Sequence, residues 1–181
     1  VAQSLVSDND FTLTSRNTGA VTMNVGSYVS AAGTQTFSNA TTVSVSVDST
    51  SLLGGTIKAD KASTFTLNNA ADVSLTLTAL AASTISLNVG SGTVALGSTS
   101  LSTLAVVNSG SATISAKASG VTTITVDAAS LADLSSVNTT GLQTLQISGS
   151  GSLAGAKIGA HSGVSTNLTM SITGLDAGFS A

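Results

Sequence analysis

The chain has 181 residues, of which 41% are hydrophobic but only 3% are aromatic and 7% are charged. Its net charge of −3 disfavours nucleic-acid binding, and the lack of cysteine excludes disulfides and thiolate metal sites. No apolar run approaches the roughly 20 residues of a membrane helix, so we expect no membrane insertion.

Residues 1–17 are the least repetitive part of the sequence. Asp8 and Asp10 lie at alternate positions just before a strand that is predicted to begin at Phe11. Oxygen ligands at alternate positions suit a hard cation, so this pair is a candidate calcium site. A solvated turn is the other interpretation, because the full Asp-x-Asp-x-Asp-Gly loop is missing.

A six-residue pattern then returns with a period of 19 to 22 residues. It consists of a small or apolar residue, Ser or Thr, a marker threonine, and an apolar–x–apolar triplet. The clear marker threonines are Thr42, Thr64, Thr84, Thr103, Thr123 and Thr144. A degenerate early copy contains Thr22, and a looser late copy suggests Thr166 as a further marker. A fixed period in this range predicts stacked repeats.

Each copy predicts one strand, with the marker threonine on one face and two apolar residues on the other. Stacking would create two interior columns, which are Val43, Phe65, Ile85, Leu104, Ile124 and Leu145, and Val45, Leu67, Leu87, Val106, Val126 and Ile147. A weaker apolar signal lies between successive copies and predicts a second strand. The sequence therefore predicts an all-β fold, a parallel β-helix (β-solenoid) of about seven to eight coils of 19–22 residues.

Tandem antiparallel β-sandwiches remain the alternative fold, because regular strand signals suit them too. The solenoid is favoured since the copies match better at the full period than at half of it. Corners are expected after the first strand of each copy, at Asn24, Asn68, Asn88 and Asp127. Apolar spacing in residues 130–134 predicts one helical turn. We expect residues 1–181 to be a single solenoid segment of a longer chain, because no capping repeat is evident.

Nothing in the sequence assembles a catalytic constellation. His161 is the single histidine, and no Gly-x-Ser-x-Gly elbow accompanies it. We therefore expect that the chain is not an enzyme. The marker threonines and the residues two positions later instead form a rank of hydroxyls. This rank resembles the Thr-x-Thr surface of ice-binding solenoids, although outward threonine is also simply a good strand residue.

Segments such as 121–126 and 142–149 resemble bacterial surface-layer (S-layer) proteins and large secreted adhesins. The shared traits are richness in Thr, Ser, Ala, Gly and Val, absence of Cys, an acidic pI and few charges. The resemblance implies an extracellular structural protein of the bacterial cell surface that self-assembles into a lattice. It also implies calcium and a cell-surface polysaccharide as partners. An adhesin stalk is the near alternative, and the Gly-Gly-x-Gly-x-Asp calcium repeat is absent.

Overall fold

All regular structure in the described residues of the computed structural model is β-strand. The structure describes residues 2–5, 12–26, 30–31, 33–48, 52–69, 72–108, 112–116, 121–128, 132–137, 142–148, 157–158 and 169–173. The strands are β1 (Ala2–Leu5), β2 (Leu13–Ser15), β3 (Gly19–Val25), β4 (Ser30–Ala31), β5 (Thr34–Phe37), β6 (Ala40–Val47), β7 (Leu52–Lys58), β8 (Thr64–Asn69), β9 (Asp72–Thr78), β10 (Thr84–Val89), β11 (Ser91–Leu96), β12 (Thr103–Asn108), β13 (Ala112–Ala116), β14 (Thr123–Ala128), β15 (Ala132–Val137), β16 (Thr144–Ser148), β17 (Lys157–Ile158) and β18 (Thr169–Thr173).

The strands form two sheets, and every pairing between described strands is parallel. Sheet A has the order β1-β3-β6-β8-β10-β12-β14-β16-β18. Sheet B has the order β17-β15-β13-β11-β9-β7-β5-β2, with β4 also pairing with β7. From β5 to β16 the chain alternates between the sheets, so that each strand pairs with the strand one coil away. The protein is thus a parallel β-solenoid, and the antiparallel sandwich alternative is wrong.

The solenoid has about five turns, so the prediction of seven to eight coils is wrong. Between β7 and β16, each turn contributes a strand of at least five residues to both sheets. Toward the ends, sheet B receives only short strands, such as β2 with three residues and β4 and β17 with two each. A marker threonine predicts only the sheet A strand of its own copy, which is why counting markers overestimates complete turns.

The interior columns predicted from the repeat are confirmed by the register of sheet A. Val43 pairs with Phe65, which pairs with Ile85, and the column continues through Leu104 and Ile124. These five side chains are fully buried and belong to one hydrophobic cluster. The neighbouring column runs in register from Val45 to Ile147. The core is therefore built mainly from aliphatic side chains of successive coils, with Phe37 and Phe65 as its largest members.

Sheet B closes the interior from the opposite side. Its inward positions include Leu75 beside Val94 and Leu77 beside Leu96, all of them buried. Gly92 has a φ of 96°, and a Cβ atom at this position would collide with the backbone of Val73. Glycine is therefore required there, because the chain turns into β11 with its backbone directly against the previous coil.

Four details of the repeat differ from the sequence-based expectation. Thr22 pairs with Ser44, so the residue in register with Thr42 is Ala20. The last strand places Thr169 beside Thr144, whereas Thr166 lies outside the described residues. The expected corner positions lie within strands, as the pairing of Asn68 with Asn88 shows. Residues 132–137 form strand β15 rather than a helical turn, because pairing with β13 outweighs a short apolar spacing.

Replacing Ile124 with Asp tests the stacked core. Ile124 is fully buried between Leu104 and Leu145, so an aspartate there would be a charge without a partner. We expect the free energy of unfolding to fall by more than about 4 kcal/mol, measured by denaturant unfolding followed by circular dichroism. The control is Thr125→Asp on the outward face of the same strand, which should cost far less. Equal losses in the two variants would contradict the assigned faces.

Candidate functional site

The outward face of sheet A carries three columns of side chains in register. The first is the marker column, Thr42, Thr64, Thr84, Thr103, Thr123 and Thr144. The second is Ser44, Thr66, Ser86, Ala105, Thr125 and Gln146. The third is Ser46, Asn68, Asn88, Val107, Asp127 and Ser148. The structure thus brings all six predicted rank residues together, while their role as a binding surface stays a prediction.

The marker and second columns form a regular uncharged array, which we call the hydroxyl face. Neighbouring residues of one column are about 4.8 Å apart across the sheet, and the two columns are about 7 Å apart along each strand. The marker threonines are half-buried, because each packs against its neighbours in the adjacent coils. Ala105 and Gln146 are the two members of the second column without a hydroxyl.

Several hydroxyl groups of this face make no hydrogen bond within the described part of the chain. In the described part of the chain, neither Thr84 nor Ser86 uses its side-chain oxygen in a hydrogen bond to another residue. The same holds for Thr64, Thr66 and Thr103. A surface of unengaged hydroxyls at fixed spacing can bond water, a carbohydrate or a second protein surface.

A second set of hydroxyls lies immediately before the marker column and behaves differently. We call the edge of the solenoid where sheet A strands begin the leading edge, and the edge where they end the trailing edge. At the leading edge, Ser63, Ser83, Ser102 and Thr122 each donate a side-chain hydrogen bond to a carbonyl of the preceding coil. The distances are 3.2, 3.4, 3.0 and 3.3 Å, respectively.

These four bonds form a hydroxyl ladder, and at three of its four steps the hydroxyl is a third donor to a carbonyl that already accepts two backbone N–H groups. The Ser83 carbonyl, for example, accepts the backbone N–H of Ser102 at 3.0 Å and that of Thr103 at 2.9 Å. The Ser102 hydroxyl then adds its own bond at 3.0 Å. In the sequence, Ser or Thr precedes five of the six marker threonines, but this recurrence alone indicates no role. Its recurrence beside a strand start was the available signal, since hydroxyl side chains commonly bond nearby backbone groups.

The remaining candidate residues are Asp8, Asp10 and His161. All three lie outside the described residues, so the calcium prediction stays a prediction. Within the described ranges, no group of three or more His, Cys, Asp or Glu side chains could hold a metal ion. Nor is any helix in that part of the chain long and apolar enough to span a membrane.

Ser102→Ala tests whether the hydroxyl ladder stabilises the fold. The variant loses one side-chain hydrogen bond, but its acceptor keeps two backbone donors. We therefore expect a small loss, about 0.5 to 1 kcal/mol of unfolding free energy, measured by denaturant titration. Ser86→Ala on the hydroxyl face is the matched control and should be nearly neutral. A larger loss for Ser86→Ala than for Ser102→Ala would contradict the distinction between the two sets of hydroxyls.

Comparison of the chain with protein-family models, with curated proteins and with solved structures finds no match. The function of the chain therefore has to be argued from its own residues and their arrangement.

Proposed function

We propose that the chain is a structural segment of a bacterial cell-surface protein, an S-layer subunit that self-assembles into an extracellular lattice. The observation that carries this proposal is the hydroxyl face, which repeats without charge along successive turns of a parallel solenoid. Surfaces that lack charge do not repel one another, and only 7% of the residues are charged. Regular hydroxyls also offer many equivalent hydrogen bonds to an adjacent copy.

The fold itself suits a mechanical role. Each turn is tied to the next by backbone ladders in both sheets, and each turn adds about 4.8 Å along the axis. Such a rod keeps its side chains at fixed positions, which a repeating assembly requires. An adhesin stalk would use the same rod without contacts between neighbouring copies, so the state of association separates the two functions.

Calcium belongs to this proposal as a bridging ion. Asp8 and Asp10 supply oxygen ligands at alternate positions. Two carboxylates do not fill a calcium coordination sphere, which takes six to eight oxygen ligands. A calcium ion held here would therefore join this chain to oxygen ligands from a neighbouring segment, subunit or cell-surface polysaccharide.

Light scattering of the purified protein, with calcium and with a chelator, tests the lattice. We expect ordered association at high concentration in calcium, with regular arrays in negative-stain electron microscopy, and looser association after chelation. Asp8→Asn combined with Asp10→Asn should reproduce the effect of the chelator, because amides bind calcium more weakly than carboxylates do. A protein that stays monomeric in calcium would contradict the lattice and leave the adhesin stalk.

Ice binding is the second candidate, and one specific observation favours it. Six threonines occupy one column in register, with hydroxyl residues at four of the six positions beside them. A flat array of this regularity resembles a surface that can order water into an ice-like layer. The interruptions at Ala105 and Gln146 weaken the array in its later turns.

Ice-crystal growth in the presence of the folded protein tests this second candidate. If the hydroxyl face binds ice, crystals should become faceted, and Thr84→Tyr should abolish the effect by disrupting the flat surface. The control is Thr76→Tyr on the outward face of sheet B, which should leave crystal shaping intact. Unchanged growth with the original protein would eliminate ice binding.

A further inference from the structure

The outward face of sheet A carries almost no charge. Between β6 and β16 its three columns contain no lysine, arginine or glutamate, and Asp127 is their one charged residue. The other members are mainly Ser, Thr and Asn. The outward face of sheet B differs, because Lys58 is exposed there beside Thr78. Repulsion between like charges keeps protein surfaces apart, so sheet A has the face that a second copy can approach closely.

One exposed aliphatic side chain lies within this polar face. Val107 is 47% exposed, and Ala105 precedes it on the same face of β12. Its neighbour in the third column on β10 is the polar residue Asn88. Leu80, at 44%, is the other exposed large hydrophobic side chain of the described residues, but it lies in the turn before β10. An apolar patch within polar surroundings is the usual composition of a protein interface.

The area of the face is sufficient for a specific contact between two copies. The six strands from β6 to β16, at about 4.8 Å each, span roughly 29 Å along the solenoid axis. The three columns, at about 7 Å each, cover about 20 Å across it. Two copies in contact would bury about 1,200 Å² in total, which is near the lower limit for specific interfaces. Pairing through this face should therefore be reversible.

We propose that two copies pair through the outward faces of their A sheets. The inference rests on the proposed self-assembly and identifies its building unit. The two-fold axis runs parallel to the solenoid axis, over the second column, so the two rods point the same way and their strands are antiparallel. Each second-column residue then faces its own equivalent, and Ser86, for example, faces Ser86 of the second copy. Each third-column residue faces a marker threonine of the second copy.

This orientation gives the third column compatible neighbours. Val107 lies opposite Thr103 of the second copy, whose methyl group can cover it. Asn88 lies opposite Thr84 of the second copy, where amide and hydroxyl groups can exchange hydrogen bonds. A two-fold axis parallel to the strands would instead place Val107 opposite Asn88 when all six strands overlap. That arrangement buries an amide against an apolar group without a hydrogen bond, which is unfavourable.

The pair leaves the other surfaces of both rods accessible. A contact between two identical faces is closed by its two-fold axis and does not extend by itself. The outward faces of both B sheets and the coil ends remain available for the further contacts that a lattice requires. The pairing face needs no metal ion, so the pair should persist when calcium is removed.

Charge variants at position 86 test the pair, because Ser86 faces itself across the axis. The full chain is measured in chelator by analytical ultracentrifugation, so that association through calcium does not contribute. Ser86→Lys and Ser86→Asp should each weaken pairing about tenfold, since like charges then meet on the axis. An equimolar mixture of the two variants should regain pairing. Thr76→Lys, on the outward face of sheet B, is the matched control and should leave pairing unchanged.

Val107→Ser tests the apolar part of the contact. Loss of the buried methyl groups should weaken pairing about fivefold. Leu80→Ser is the matched control, because it shortens a similarly exposed aliphatic side chain outside the face, and it should have no effect. Circular dichroism establishes that every variant is folded.

Three outcomes would overturn the proposal. A mixture that fails to regain pairing, although both components are folded, contradicts the orientation. Equal weakening by Ser86→Lys and Thr76→Lys contradicts the choice of face. An original protein that is monomeric in chelator but forms arrays in calcium refutes the pair and leaves the proposed lattice intact. An original protein that is monomeric under both conditions refutes the lattice as well.

Discussion

In-register stacking of parallel strands is the constraint on which the rest of the structure depends. A strand such as β10 has its backbone partners in β8 and β12, one coil before it and one after it. No coil can satisfy its backbone groups or bury its apolar residues alone. The register then determines which side chains of neighbouring coils lie side by side. The pairing of Thr84 with Thr103, for example, also aligns Ile85 with Leu104 one position later. Core, hydroxyl face and edges all follow from this one alignment.

The regular part of the fold could be predicted from the sequence because one residue type marks a strand position. Thr64, Thr84 and Thr103 recur beside apolar residues at fixed spacing, and their strands pair as expected. The ends could not be predicted in the same way. Ala20 stands where a marker threonine would be expected, and the period lengthens before Thr169. At both ends the pattern therefore no longer identifies which residue pairs with the marker threonine of the neighbouring coil. There, backbone register with the neighbouring coil decides the position.

The sequence predicted that the marker threonines form a column, but it did not predict that adjacent hydroxyl residues have different hydrogen-bonding roles. Ser83 and Thr84 are adjacent hydroxyl residues that look equivalent in the sequence. The structure gives Ser83 an internal acceptor, whereas the Thr84 hydroxyl remains available to solvent. Whether a hydroxyl reaches a carbonyl depends on the local path of the backbone at the leading edge, which spacing alone does not contain.

The hydroxyl ladder also gives the solenoid a direction. Each of its O–H groups donates toward the preceding coil, from Ser83 to Ser63 and from Ser102 to Ser83. The bond dipoles at this edge therefore point the same way, and aligned hydrogen bonds polarise one another. The two ends of this ladder are consequently unlike, because it begins at an acceptor, the Thr41 carbonyl, and ends at a donor, the Thr122 hydroxyl.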